Sequence, residues 1–159
     1  MTRMRRALLL ALLVIVLDQA SKWLILELVM QPPRVVPLTG FFNLVLTYNT
    51  GVSFGLLGGQ RDWQPWLLSG LALIIVAALL LWLRRQERPL PALAVGLIAG
   101  GAIGNVIDRL LHRAVVDFLD LHVAGWHWPA FNIADSAITI GVALLLLDGL
   151  FPGLSRRKT

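Results

Sequence analysis

The chain contains no cysteine. Disulfides, thiolate metal sites and a cysteine nucleophile are therefore excluded, although the absence fits either side of a membrane. Charge is also scarce: Asp, Glu, Lys and Arg make up 14% of 159 residues, against 57% hydrophobic. Mean hydropathy is +0.76. A water-soluble domain of this composition would expose large adhesive patches, so residence in a membrane is the natural reading. The length fits one unit, residues 1–159. Phosphate-loop and dinucleotide fingerprints are missing, as are internal repeats and low-complexity tracts. Ser21, Ser53 and Ser136 lack a nucleophile elbow. His112, His122 and His127 share one segment but match no tight zinc spacing, so no metal or other cofactor is expected, and the histidines read as solvated or interfacial.

What is present is ordered by its charges. The net charge is +5, and nine of the fourteen Lys/Arg fall in three clusters: Arg3, Arg5, Arg6; Arg84, Arg85, Arg88; and Arg156, Arg157, Lys158. Each abuts a long apolar run, which is the positive-inside pattern and not a nucleic-acid face. Four spans are expected, at approximately 7–30, 66–83, 90–111 and 134–150, each near the ~20 residues that cross a hydrocarbon core. Both termini and the 84–89 connection then lie in the cytoplasm, with segments 31–65 and 112–133 outside. The outer segments hold Arg34, Arg61 and Arg113 as loop cations. The first run also has the look of a cleavable signal peptide. No clean A-x-A site follows it, however, and apolar residues resume at Trp23–Met30, so a retained span is expected.

Segment 31–65 differs from the spans. Residues 34–38 and 41–48 are rich in β-branched and aromatic side chains, are separated by Thr39-Gly40, and are followed by Asn49-Thr50-Gly51. A small antiparallel sheet on the outer surface is expected, with Trp63, Trp66, Trp82, Trp126 and Trp128 as interfacial anchors. The fold class is thus a membrane four-helix bundle with a minor β element.

Polar residues inside or beside spans are the candidates for function, because a charge at mid-bilayer costs about 2.5–3.5 kcal/mol on insertion scales. Asp18 and Lys22, four apart, can pair on one helix face, either as a self-neutralising structural pair or as part of a site. Gly101, Asn105, Asp108 and Arg109 fall near one stripe of the third span, reading either as packing with an Asp–Arg ion pair or as a scaffold for a site. Gly100 and Gly104 would let another helix approach closely. Asp117 follows that span, flanked by Val116 and Phe118. Asn132 and Asp135 open the fourth span, and the same two residues could be no more than a helix cap with an acid in the first turn. Two carboxylates at one membrane edge suit acid–base hydrolysis: close together, they share a proton, one activates water, and the other protonates the oxyanion or leaving amine. A proton-coupled transporter with Asp18, Lys22, Asp108 and Asp135 as relay, and a membrane assembly factor without catalysis, are the rival classes.

Five segments in order decide among these. They are Leu17-Asp18-Gln19-Ala20-Ser21-Lys22, Tyr48-Asn49-Thr50-Gly51-Val52-Ser53-Phe54, Gly100-Gly101-Ala102-Ile103-Gly104-Asn105-Val106-Ile107-Asp108-Arg109, Val115-Val116-Asp117-Phe118 and Phe131-Asn132-Ile133-Ala134-Asp135-Ser136. With the four-span layout, they resemble the bacterial lipoprotein signal peptidases, also called signal peptidase II, over nearly the whole chain. The resemblance implies an inner-membrane aspartyl endopeptidase with a catalytic pair at Asp117 and Asp135. It implies supporting roles for Asp18, Lys22, Asn49, Gly101, Asn105, Arg109 and Asn132, to which Asp108 is added from its place on the stripe. The implied substrate is a diacylglyceryl-modified prolipoprotein, cut on the amino side of its lipidated cysteine. The implied enzyme needs no cofactor, is inhibited by globomycin, and works among membrane lipids; nothing in the sequence demands an oligomer, so a monomer is expected. Two departures stand out. Val52-Ser53 replaces the usual Ala-Ala or Ala-Ser, and Asp120 adds a third carboxylate near Asp117, read as a surface group.

Overall fold

The computed structural model describes residues 2–51 and 62–151. Val52, Ser53, Phe54, Arg61 and the cluster Arg156, Arg157, Lys158 lie outside them. Helix α1 (Arg3–Leu24) is capped by Thr2, whose hydroxyl accepts from the Arg5 amide, and widens into a π-helical turn at Ile25–Val29. Helices α2 (Gln64–Leu83), α3 (Pro89–His112) and α4 (Ile133–Leu150) follow, with strands β1 (Val36–Thr39) and β2 (Phe42–Asn49) before α2 and β3 (Val115–Val123) and β4 (Trp126–His127) before α4. Among the described residues, four helices, with the first taken as Arg3–Val29, are long and apolar enough to cross a membrane.

Helix α3 is the most enclosed, because α1, α2 and α4 all pack on it. Its small residues allow this. A Cβ on Gly100 would sit 2.7 Å from the Ala11 carbonyl oxygen, and one on Gly104 would sit 2.6 Å from Asp18 Oδ2. The expected small-residue approach is therefore made by α1. Apolar side chains cover the outward faces, as a lipid-facing bundle requires: Leu12, Ile74 and Leu146 are each more than half exposed. Trp63, Trp66, Trp82, Trp126 and Trp128 are exposed as well.

The sheet is larger than expected. It runs β1-β2-β3-β4 with antiparallel neighbours, so segment 112–133 supplies two strands where the sequence was read as an outer loop. The alternation that marks a half-buried strand is absent from β3, because Val115 to Phe118 are all buried. Helix α3 stops at Arg113, which takes the left-handed conformation (φ 59°) and turns the chain directly into β3. Ile25, Met30 and Phe118 form a core with Leu44, Leu46 and Ile133 packed around it, and this seats the sheet on the ends of α1 and α4.

Candidate active site

The directions of the helices bring the polar residues of all three motif-bearing spans to one end of the bundle, opposite Arg84, Arg85 and Arg88. Lys22 lies near the end of α1, Asn105, Asp108 and Arg109 near the end of α3, and Asn132 and Asp135 at the start of α4.

The floor of the site is an ion cluster. Lys22, 3% exposed, donates from Nζ to Asp18 Oδ2 at 2.8 Å and to Asn105 Oδ1 at 3.2 Å, and pairs with Asp108 Oδ2 at 2.8 Å. Asp108 therefore pairs with Lys22 rather than with its neighbour Arg109. Gln19, not singled out from sequence, donates from Nε2 to Asp18 Oδ2, Asp108 Oδ1 and the Gly104 carbonyl at 2.9–3.2 Å. The two floor carboxylates also accept from backbone: Asp18 Oδ1 from Ala134 N (2.9 Å) and Asp108 Oδ2 from Val116 N (3.0 Å). Thus one buried cation fixes both the start of α4 and the start of β3. Gly101 completes the contact: a Cβ there would collide with the Ala134 carbonyl.

Above this floor, two asparagines join two carboxylates. Asn132 Nδ2 donates to Asp117 Oδ1 at 2.7 Å, while its Oδ1 accepts from the Asp135 amide at 2.8 Å. Asn105 Nδ2 donates to Asp135 Oδ1 at 2.8 Å. Asn132 Nδ2 also lies 3.3 Å from Asn105 Oδ1, closing the link. On its other side, Asp117 Oδ2 accepts from Asn49 Nδ2 at 3.0 Å, and Asn49 Oδ1 in turn accepts from the Gly51 amide at 2.8 Å. Arg109 contacts the network through the Asn105 carbonyl (3.5 Å) and lies within electrostatic reach of Asp135, Asp108 and Asp117. The cap reading of Asn132 is therefore correct but incomplete, since the same amide serves Asp117.

Asp117 is 1% exposed, and burial pushes its carboxyl up to about 6, opposed by the Asn49 hydrogen bond and reinforced by the charge of Asp135. Asp135 is partly exposed. A cleft of about 390 Å³ lined by Thr47, Tyr48, Asn49, Thr50, Pro129 and Ala130 opens onto Asp117. A buried acid that holds its proton near neutrality, beside a wetter acid, is an arrangement suited to general acid–base work on a bound amide.

The family signature named signal peptidase (SPase) II matches residues 10–151. The chain belongs to the signal peptidase II family. Its members are peptidases, and this one is a multi-pass membrane hydrolase. Similar relatives include a lipoprotein signal peptidase of Azoarcus sp., 54% identical over 92% of this chain and 83% of the relative, and one of Cupriavidus necator, 51% identical over 88% and 80%. Among solved structures, a bacterial membrane enzyme determined by the in meso method at 1.9 Å superposes with a TM-score of 0.77 at 31% identity, covering 96% of this chain and 94% of that one.

The structure brings the candidate residues named from the sequence together in this network, but Asp120 corrects the reading. It is not a surface group: it is 6% exposed, accepts from Asn43 Nδ2 at 2.9 Å, and lies 2.9 and 3.0 Å from His127 Nδ1 through its two oxygens. Asn43 carried no sequence signal, because its partner lies in a segment read as loop. Among the described residues, no group of three or more His, Asp or Glu side chains is arranged to hold a metal ion.

Proposed function

We propose that Asp117 and Asp135 are the catalytic pair of an aspartyl endopeptidase. Its substrate is a diacylglyceryl-modified prolipoprotein, cut before the lipidated cysteine. The observation that carries the reading is the double use of Asn132: one amide side chain ties the buried acid of β3 to the first turn of α4. Asp135, the wetter of the two, takes a proton from water as its oxygen attacks the scissile carbonyl. Asp117, which burial keeps protonated more readily, gives its proton to the carbonyl oxygen. When the tetrahedral intermediate collapses, the carbon–nitrogen bond breaks, Asp135 passes its proton to the leaving amine, and Asp117 recovers the one it lent. Asn49 and Asn132 hold Asp117, Asn105 holds Asp135, and Lys22 with Asp18 and Asp108 holds the elements that carry them.

The positive-inside rule applied to the basic clusters supports a reading in which both termini lie in the cytoplasm and the site and sheet lie at the outer face of the inner membrane. The acyl chains of the substrate then stay in the bilayer while its peptide enters the cleft at Tyr48 and Asn49. Lipid modification sets the depth of the scissile bond, so it governs turnover. The test is incubation of the purified chain with a synthetic prolipoprotein peptide carrying a diacylglyceryl cysteine, and with the same peptide unmodified, both with a chelator. Cleavage on the amino side of the lipidated cysteine, by mass spectrometry, and at least about 100-fold faster than for the unmodified peptide, is the expected result. Equal cleavage of both peptides, or loss of cleavage with the chelator, would count against the proposal.

A further inference from the structure

Strands β2 and β3 pair in two registers. Phe42, Asn43 and Leu44 stand opposite Leu121, Asp120 and Leu119, whereas Thr47, Tyr48 and Asn49 stand opposite Asp117, Val116 and Val115. From Asp120 to Asp117 is three residues, while from Asn43 to Thr47 is four, so β2 carries one extra residue beside Asp117. Such a bulge bends and twists its strand locally and re-aims the neighbouring side chains. The place of a bulge is set by what holds the pairing registers on its two flanks. On one flank stands the Asn49–Asp117 hydrogen bond. On the other stands Asp120, a buried carboxylate with two side-chain partners and no part in the chemistry above.

The partners of Asp120 come from both sides. Asn43 reaches it from β2, and His127 reaches it from β4. His127 is held in turn by stacking on His122, with ring centroids 5.0 Å apart and planes at 23°. Hydrogen bonds from His127 and Asn43 hold the Asp120 carboxyl below the usual carboxylate range, so it remains an acceptor. If the register of Thr47–Asp117 ran on unbroken, residue 120 would face Leu44 instead of Asn43; buried Asn43 would lose its acceptor, and Asp120 would keep only His127. That mismatch keeps the extra residue between the Leu44–Leu119 and Thr47–Asp117 pairs, where Leu46 packs on the core of Ile25, Met30 and Phe118.

We propose that Asp120 is a positioning residue that, with Asn43 and His127, pins the bulge beside Asp117 and so fixes the aim of the Asp117 carboxyl. The inference rests on the catalytic reading of Asp117 for its effect on turnover, but the pinning itself is a statement about strand register. Asp120→Leu removes both acceptors. It lowers kcat about 10- to 100-fold, the scale of a sub-ångström to 1 Å misplacement, with KM changed less than about threefold. His127 is half exposed, so His127→Phe keeps the stacked ring with little risk to folding. It lowers kcat in the same direction, by about 3- to 10-fold. Asp120→Asn, which retains an acceptor for Asn43, restores most of the turnover.

Register is read independently by cross-strand nuclear Overhauser contacts in micelles. The Leu44–Leu119 pairing persists in the unaltered protein and in Asp120→Asn, and gives way to Leu44 facing residue 120 in Asp120→Leu. A folded Asp120→Leu protein with unchanged register, or with kcat within twofold of the parent, overturns the proposal. If Asp120→Leu does not fold, His127→Phe with unchanged kcat overturns it. Were Asp117→Asn to keep full turnover, the catalytic reading would fall, and the register contacts alone would decide the role of Asp120.

Discussion

Asp117→Asn and Asp135→Asn each lower kcat by at least about 10³-fold, within the range general acid–base groups contribute, while the protein remains folded and inserted. The two substitutions remove the same capacity by different routes. Asn at 117 cannot lend a proton to the carbonyl oxygen, and Asn at 135 cannot accept one from water. Folding survives because the hydrogen bonds around each site are largely compatible with an amide. The amide of residue 135 still donates to Asn132, and its side-chain oxygen can still accept from Asn105. At 117 one of the two accepted bonds is lost, which costs about 1–3 kcal/mol, but a buried charge is lost with it. Because the two acids act as one unit, the double variant is scarcely worse than either single one. Turnover of the lipidated peptide, alongside circular dichroism in detergent, measures both halves of the prediction. A folded variant with more than a tenth of the parent activity would be incompatible with it.

Lys22→Met has the largest expected effect on stability. The ammonium is the only cation within ion-pairing distance of Asp18 and Asp108 among the described residues, and all three side chains are nearly inaccessible. Methionine fills a similar volume but leaves two buried carboxylates facing each other without compensation. Removing one partner of a buried ionic group costs about 3–5 kcal/mol. The damage also spreads along the backbone bonds the cluster makes. Asp18 releases the Ala134 amide at the start of α4, and Asp108 releases the Val116 amide in β3, so the elements that carry Asp135 and Asp117 both loosen. A fall in unfolding midpoint together with loss of turnover is expected. An unchanged midpoint would mean that the cluster is neutralised in some other way.

The helices were legible because length and hydropathy alone demand them. The observed α2, α3 and α4 begin within two residues of the expected spans, whereas α1 begins at Arg3, ahead of its apolar run, because Thr2 caps it. Half of the sheet was legible for a related reason: residues 36–39 and 42–49 sit between turn residues and are rich in β formers. The other half was hidden. Strand β3 is buried along its first four residues, so its pattern is an apolar run interrupted by acids, which reads equally well as loop or buried segment. That one omission explains the misplacement of Asp120. With β3 taken as a loop, an acid three residues beyond Asp117 reads as solvated. As a strand paired to β2, it falls opposite Asn43 and becomes buried. Gln19 was missed because an amide next to Asp18 has no meaning until α3 is packed against α1. The floor and rim of the site were otherwise visible as polar residues stranded in apolar surroundings, for which hydrophobic burial offers no explanation.

The central claim is that Asp117 and Asp135 form one proton-sharing unit, and titration of the Asp117 carboxyl tests it most directly. Its proton affinity is raised in the folded protein, from 3.8 to about 6, by burial first and by the charge of Asp135 in addition. A raised value means that the folded state binds the proton more tightly. The resulting stabilisation is complete below pH 3.8 and is lost as the pH rises through about 6. With ¹³C-labelled aspartate, assigned by comparison with Asp117→Asn, the Asp117 carboxyl signal titrates near pH 6 in the parent protein and at a distinctly lower pH in Asp135→Asn, where the neighbouring charge is gone. A midpoint near 4 in the parent, or one that does not move when Asp135 is replaced, would contradict the account.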